Sequence, residues 1–233
     1  MFFYLFFFLI FIICLYQLCT LKVQEDVEIY FFLNLAGNFI AKNNDIHVVY
    51  ENKDLFDRLG IELFKKETGD SINKYTSIQL SEDTFMKYMN KQHITHNLRM
   101  DNIYCHTKEF SLLLKTYFSD KHIQQDMIDK NIYRDIYKQN NDVFLHIRLD
   151  DAMKHNPGEQ YYDNILSKLT FTNGYITSDT LHHPICQNLI KKYNLQTINE
   201  DIIETIMFGS TCKYIILSKC NIFIYDRFVR VLF

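Results

Sequence analysis

The chain has 233 residues, of which 48% are hydrophobic and 23% charged, and its formal net charge is −3. This length supports one large domain or two modest ones, and this composition excludes a disordered chain. The small net charge gives no overall attraction to nucleic acid or to an anionic membrane surface, and six cysteines with no C-x-x-C pair give no readable zinc or thioredoxin-type motif.

Met1 to Leu15 carries no charged side chain, and Gln17 is the first strongly polar one. With Tyr16 to Leu21 added, the run reaches the roughly 20 residues that a bilayer core requires. No Lys or Arg precedes it, so the positive region of a cleaved signal peptide is missing. Residues 1–21 are therefore expected to form a membrane helix, an anchor or uncleaved signal; a core helix or strand is the alternative. From Glu28 to Asn43, Ile29, Phe32, Leu33, Ala36, Phe39 and Ile40 recur at spacings of three and four, which predicts a helix with one apolar face. Ile46 to Tyr50 reads as a strand, Asp54 to Leu59 as a short helix capped by Asp54 and stopped by Gly60, and Thr76 to Leu80 as a second strand.

Lys91 to His106 is polar and ambiguous, and its plainer reading is a surface loop. His93 and His96 have an H-x-x-H spacing, but no further ligands accompany them, so no metal site is expected there. Helices follow at Lys108 to Phe118 and at His122 to Tyr137, the second with Ile123, Met127, Ile128, Ile132 and Ile136 on its apolar positions.

The chain is organised around Asn140 to Asp151, NNDVFLHIRLDD. Val143, Phe144, Leu145 and Ile147 form a short apolar run typical of a buried strand, and His146 and Arg148 lie at its carboxyl end. A guanidinium fork at a strand end suits a phosphate, because it pairs two anionic oxygens at once. An ion pair of Arg148 with Asp150 or Asp151 is the plainer alternative. Beyond it, the Asn156-Pro157-Gly158 turn leads to a helix from Glu159 to Leu169, and Asn173-Gly174 leads to a strand at Tyr175 to Thr177 that ends in Ser178-Asp179. Pro184 opens a helix through Tyr193, Leu195 to Ile198 suits a small strand, and Asp201 to Phe208 suits a helix stopped by Gly209. Tyr214 to Leu217 is the last clear strand. Successive strand–helix units imply a parallel, doubly wound sheet, in which ligands sit outside the carboxyl ends of the strands. Arg148, Asp151, Ser178, Asp179, Ser218 and Asn221 all fall at or just past such ends.

With these motifs in order, Val143 to Phe223 resembles the donor-binding half of the inverting fucosyltransferases, above all the alpha-1,2-fucosyltransferase family. The family's His-x-Arg-Arg-Gly-Asp motif is matched by HIRLDD at His146, Arg148 and Asp151, with Leu149 at the second arginine position and Asp150 at the glycine. A strand ending in Ser-Asp is matched by Ile176 to Asp179, and a Cys-Lys pair before a strand by Cys212-Lys213. Asn221 and Phe223 echo the family's next loop, although Ile222 and Ile224 replace its serines and its tryptophans are absent. Phe31 to Asn44 looks like the family's first helix, without the glycine-rich turn that normally precedes it.

The resemblance implies an α/β glycosyltransferase with two facing Rossmann-like, nucleotide-fold domains: an acceptor-side domain at 22–139 and a donor-binding domain with a parallel sheet at 140–233, behind the apolar segment 1–21. It implies transfer of fucose from GDP-fucose, or a related nucleotide sugar, to a glycan acceptor with inversion, without a metal or other cofactor and without nucleic acid. Arg148 would stabilise the leaving diphosphate, and Asp151 would orient Arg148 or contact the nucleotide. His146 would support the strand or meet phosphate, Ser178 and Asp179 would lie beside the ribose or base, and Ser218 and Asn221 would complete the donor site. A single-pass protein of the Golgi or endoplasmic reticulum would follow in a eukaryote. Two alternatives stand beside this reading: a decayed relative that binds nucleotide or glycan without turnover, and a structural α/β domain.

Overall fold

The computed structural model describes residues 25–50, 52–66, 77–100, 103, 105, 107–136, 140–150 and 153–218. The expected membrane segment at 1–21, together with Asp151, Asn221 and Phe223, lies outside them. Among the described residues, no helix is long and apolar enough to cross a membrane. The chain divides into two compact units, with the boundary between Met127 and Ile128.

The N-terminal unit is built on helix α1 (Glu25–Asn44). Its Phe31 stacks on Phe56 at 5.2 Å, and its Phe39 meets Phe110 and Tyr117 edge-on. The helix ends in Asn43 and Asn44, whose side-chain amides donate to the carbonyls of Met89 and Tyr88 at 2.7 and 2.9 Å. Those carbonyls belong to the 3-10 turn Phe85–Met89, so the two segments are held by polar bonds as well as by packing. Helix α2 (Asp54–Leu59) ends at Gly60, whose φ of 72° is the left-handed conformation that glycine adopts without penalty. Lys53, not Asp54, occupies the cap position, and no side chain caps it. Asp54 instead lies in the first turn, where a carboxylate favours the positive end of the helix dipole.

Strands β1 (Ser77–Gln79) and β2 (Asn97–Arg99) pair in parallel, Ile78 opposite Leu98. The second of these lies within the polar stretch expected to be loop. Conversely, Ile46 to Tyr50 forms no strand. Its first N–H returns to the carbonyl of Ala41, Val49 is exposed, and the Tyr50 hydroxyl donates to the Phe64 carbonyl at 2.9 Å. Helices α3 (Lys108–Phe118) and α4 (Lys121–Lys130) follow. The helix expected through Tyr137 stops at Lys130, and Ile132 and Ile136 are exposed instead of facing a core. Asn131 accounts for the stop: its side-chain oxygen accepts from the N–H of Tyr133 at 2.8 Å. Its amide also donates to the Met207 carbonyl and the Ser210 hydroxyl.

The C-terminal unit contains a four-stranded, all-parallel sheet. Its strands are β3 (Val143–Ile147), β4 (Gly174–Ser178), β5 (Gln196–Thr197) and β6 (Tyr214–Leu217), in the spatial order β5-β4-β3-β6. Every residue of β3 is buried, as befits a central strand covered on both faces. Val143, Leu145 and Ile147 point to one face, where they pack with Tyr162 and Leu166 of α5 (Glu159–Leu166) and Cys186 and Leu189 of α6 (Pro184–Tyr193). Phe144 points to the other face and meets Phe208 of α7 (Ile202–Thr211), which also meets Tyr175 of β4 at 4.7 Å. Among the described residues, the alternation of side chains along the strands thus puts two helices on one face and one on the other.

Two helix ends differ from expectation. Helix α5 stops at Leu166 with Ser167 as its cap, short of Leu169. Helix α7 runs through Gly209 to Thr211, with Gly209 buried. A glycine costs a helix interior only about 1 kcal/mol, and the hydroxyls of Ser210 and Thr211 bond back to the carbonyls of Met207 and Phe208. Asp201 caps the start of this helix, accepting from the N–H of Glu204 at 2.9 Å.

Candidate functional site

The order β5-β4-β3-β6 has one reversal. The chain steps outward from β3 through β4 to β5, then returns to place β6 on the opposite side of β3. The helices connecting these strands lie on opposite faces, α5 and α6 on one and α7 on the other, and open α/β sheets bind ligands at the carboxyl ends of strands at such a reversal. Arg148 follows β3 and Ser218 follows β6 at that point.

The turn after β3 is held by side chains from three other elements. The Arg148 N–H donates to the Ser218 hydroxyl at 2.8 Å, and the Arg148 carbonyl accepts from the Asn156 amide at 2.9 Å. The N–H groups of Leu149 and Asp150 then donate to the Asp179 carboxylate at 2.9 and 3.0 Å. Ser178 donates to the same carboxylate at 3.1 Å, and its oxygen accepts from the Thr180 N–H at 3.0 Å. Beneath the turn, the buried Tyr162 hydroxyl bonds both Ser218 and Asn156, each at 3.0 Å.

His146 and Arg148 alternate onto the face opposite the α5 and α6 core. Both are buried, Arg148 with 8% of its surface exposed. Burial, and secondly the charge of Arg148, push the His146 pKa down to about 3, so the imidazole is neutral at ordinary pH. A neutral imidazole beside a desolvated guanidinium leaves the positive charge concentrated on Arg148. A charge in such surroundings acts on a nearby anion more strongly than one in water.

Of the residues singled out from sequence, the structure gathers His146, Arg148 and Ser218 at the β3–β6 end, with Asp179 reaching across from β4. Asp151 and Asn221 lie outside the described residues. Leu149 is 2% exposed and belongs to the core packed against α5 and α6. His93 and His96 form no metal cluster; among the described residues no group of three or more His, Cys, Asp or Glu has the geometry to hold a metal ion. Asn156 and Tyr162 were missed as site residues. The signal for Tyr162 was present, because an inward-facing tyrosine on an apolar helix face brings a hydroxyl that needs a partner. No protein-family model matches the chain, and no curated protein and no solved structure matches it.

Proposed function

We propose that the C-terminal unit binds a nucleoside diphosphate sugar across the carboxyl ends of β3, β4 and β6, and that the chain transfers the sugar to a glycan acceptor. On the sequence resemblance, the donor is GDP-fucose, transfer inverts the anomeric carbon, the N-terminal unit is a second nucleotide-fold domain on the acceptor side, and residues 1–21 tether the protein to a membrane. In that reaction the acceptor hydroxyl attacks the anomeric carbon as the bond to the diphosphate breaks. Negative charge then grows on the departing β-phosphate, and a preorganised cation opposite it stabilises the transition state. Arg148 is assigned that role. The observation that carries the reading is the position of Arg148 at the single reversal of strand order, on a turn whose backbone is held from three sides.

A second reading, nucleotide binding without turnover, draws on Leu149. It is uncharged and buried in the core, so the turn lacks the second cation that the resembled family carries at this position. Thermal-shift titration of the full chain with a panel of nucleotides and nucleotide sugars tests both, since a ligand that binds only the native state raises its melting temperature. Both readings expect a shift with GDP, and only the transferase releases GDP from GDP-fucose. No shift with any nucleotide contradicts both.

A further inference from the structure

We propose that Asp179 is a positioning residue for Arg148, acting through the backbone of the turn after β3 and making no contact with the nucleoside; this rests on the nucleotide-binding reading above. Beyond Ile147 the sheet ladder ends, so the peptide groups that carry Arg148 lose their strand partners. An unsatisfied backbone N–H away from water is costly, and four polar groups of this turn are instead met by side chains. These are the Arg148 N–H and carbonyl and the N–H groups of Leu149 and Asp150. Asp179 takes two of the three N–H groups. Its Oδ1 accepts from Leu149 at 2.9 Å and its Oδ2 from Asp150 at 3.0 Å, with a further contact from Leu149 to Oδ2 at 3.1 Å.

A carboxylate spanning two successive N–H groups fixes the direction of both peptides, and charge-assisted bonds of this kind are about twice as strong as neutral ones. Because Ser178 also donates to Oδ1, both carboxylate oxygens already have protein partners. The direction of the Arg148 side chain is set by the peptide on either side of it. One of these is fixed by Ser218 and the other by Asn156 and Asp179. Loss of Asp179 would leave the peptide after Arg148 held by Asn156 alone and would release the Asp150 N–H, so the backbone that carries the guanidinium would loosen. The ribose and base would be held as before.

The test compares GDP with guanosine, measured by calorimetry on the full-length protein as wild type, Asp179→Asn, Asp179→Ala, Arg148→Ala and the double variant Asp179→Asn with Arg148→Ala. Asp179→Asn keeps one acceptor and the shape of the side chain, so the comparison stands even where Asp179→Ala does not fold. For Asp179→Asn, GDP affinity should fall about tenfold or more, equivalent to about 1.4 kcal/mol, while guanosine affinity stays at the wild-type value. In the Arg148→Ala background the same substitution should cost nothing further, since coupled residues are not additive. An equal loss for guanosine, an unchanged GDP affinity, or a full additional loss in the Arg148→Ala background each overturns the positioning role. A wild type that binds no GDP overturns the nucleotide reading itself, an outcome separate from these three.

Discussion

The N–H of Arg148 donates to the hydroxyl of Ser218 at 2.8 Å, joining positions 70 residues apart in sequence. The parallel ladder between β3 and β6 ends with His146 opposite Leu217, so Ser218 is the next residue along, and its side chain takes over where the backbone pairing stops. Tyr162 supports this link from below through its bond to the same hydroxyl.

Tyr162→Phe should therefore destabilise the protein although it removes a single oxygen. Ser218 and Asn156 each lose a partner in a half-buried setting while keeping their bonds to Arg148, and a hydrogen bond of this kind contributes about 0.5–1.5 kcal/mol. Urea unfolding of the two proteins measures it. A midpoint lowered at constant slope is expected, and a change below about 0.5 kcal/mol, typical of inert surface substitutions, contradicts the link.

His146 gives a pH dependence. Its pKa is held near about 3 in the folded protein against 6.5 for the free group, by burial and by the Arg148 charge. The unfolded chain thus binds a proton that the folded chain refuses over the window between those two values. Stability from this group is complete above about pH 6.5 and is lost as pH falls toward 3, at a limit of about 1.4 kcal/mol per pH unit. Carboxylates titrate in the same window, so the comparison is with His146→Asn, whose stability should fall less steeply between pH 6 and pH 4. Equal slopes contradict a neutral, buried His146.

Helix α7 depends on its cap. Asp201→Ala removes the acceptor for the Glu204 N–H and should cost about 0.5–2 kcal/mol. Because α7 covers the face of the sheet bearing Phe144, near-ultraviolet circular dichroism should report loosened packing around Phe208 at temperatures where wild type is intact. An unchanged midpoint contradicts the cap.

The C-terminal elements were legible because their signals are local and redundant. The run from Val143 to Ile147 is apolar at every position but His146, and Pro184 and Asp201 each mark a helix start, so strand and helices fall where the residues put them. Errors came where a distant partner decides. Asn131 ends α4 by bonding Met207 and Ser210, 76 and 79 residues away, which no periodicity reveals. Asn97 to Arg99 lacks an apolar alternation and becomes a strand only by pairing with Ser77 to Gln79. At the site, Arg148 and Ser218 were readable from their places at strand ends. What Asp179 does was not, because its partners are backbone N–H groups about 30 residues away, to which sequence pattern is blind.

The central claim is that Arg148 grips a diphosphate through its fork geometry, and a GDP titration of wild type against Arg148→Lys tests it most directly. Lysine keeps the charge but cannot pair two oxygens at once. The melting temperature of wild type should rise with GDP, by an amount equal to about 2.7 kcal/mol of stabilisation at 100 times the dissociation constant. Arg148→Lys should need at least about tenfold more GDP, relative to its own ligand-free melting temperature, for the same rise. Superimposable titrations for the two proteins, or no rise in wild type at any concentration, contradict the claim.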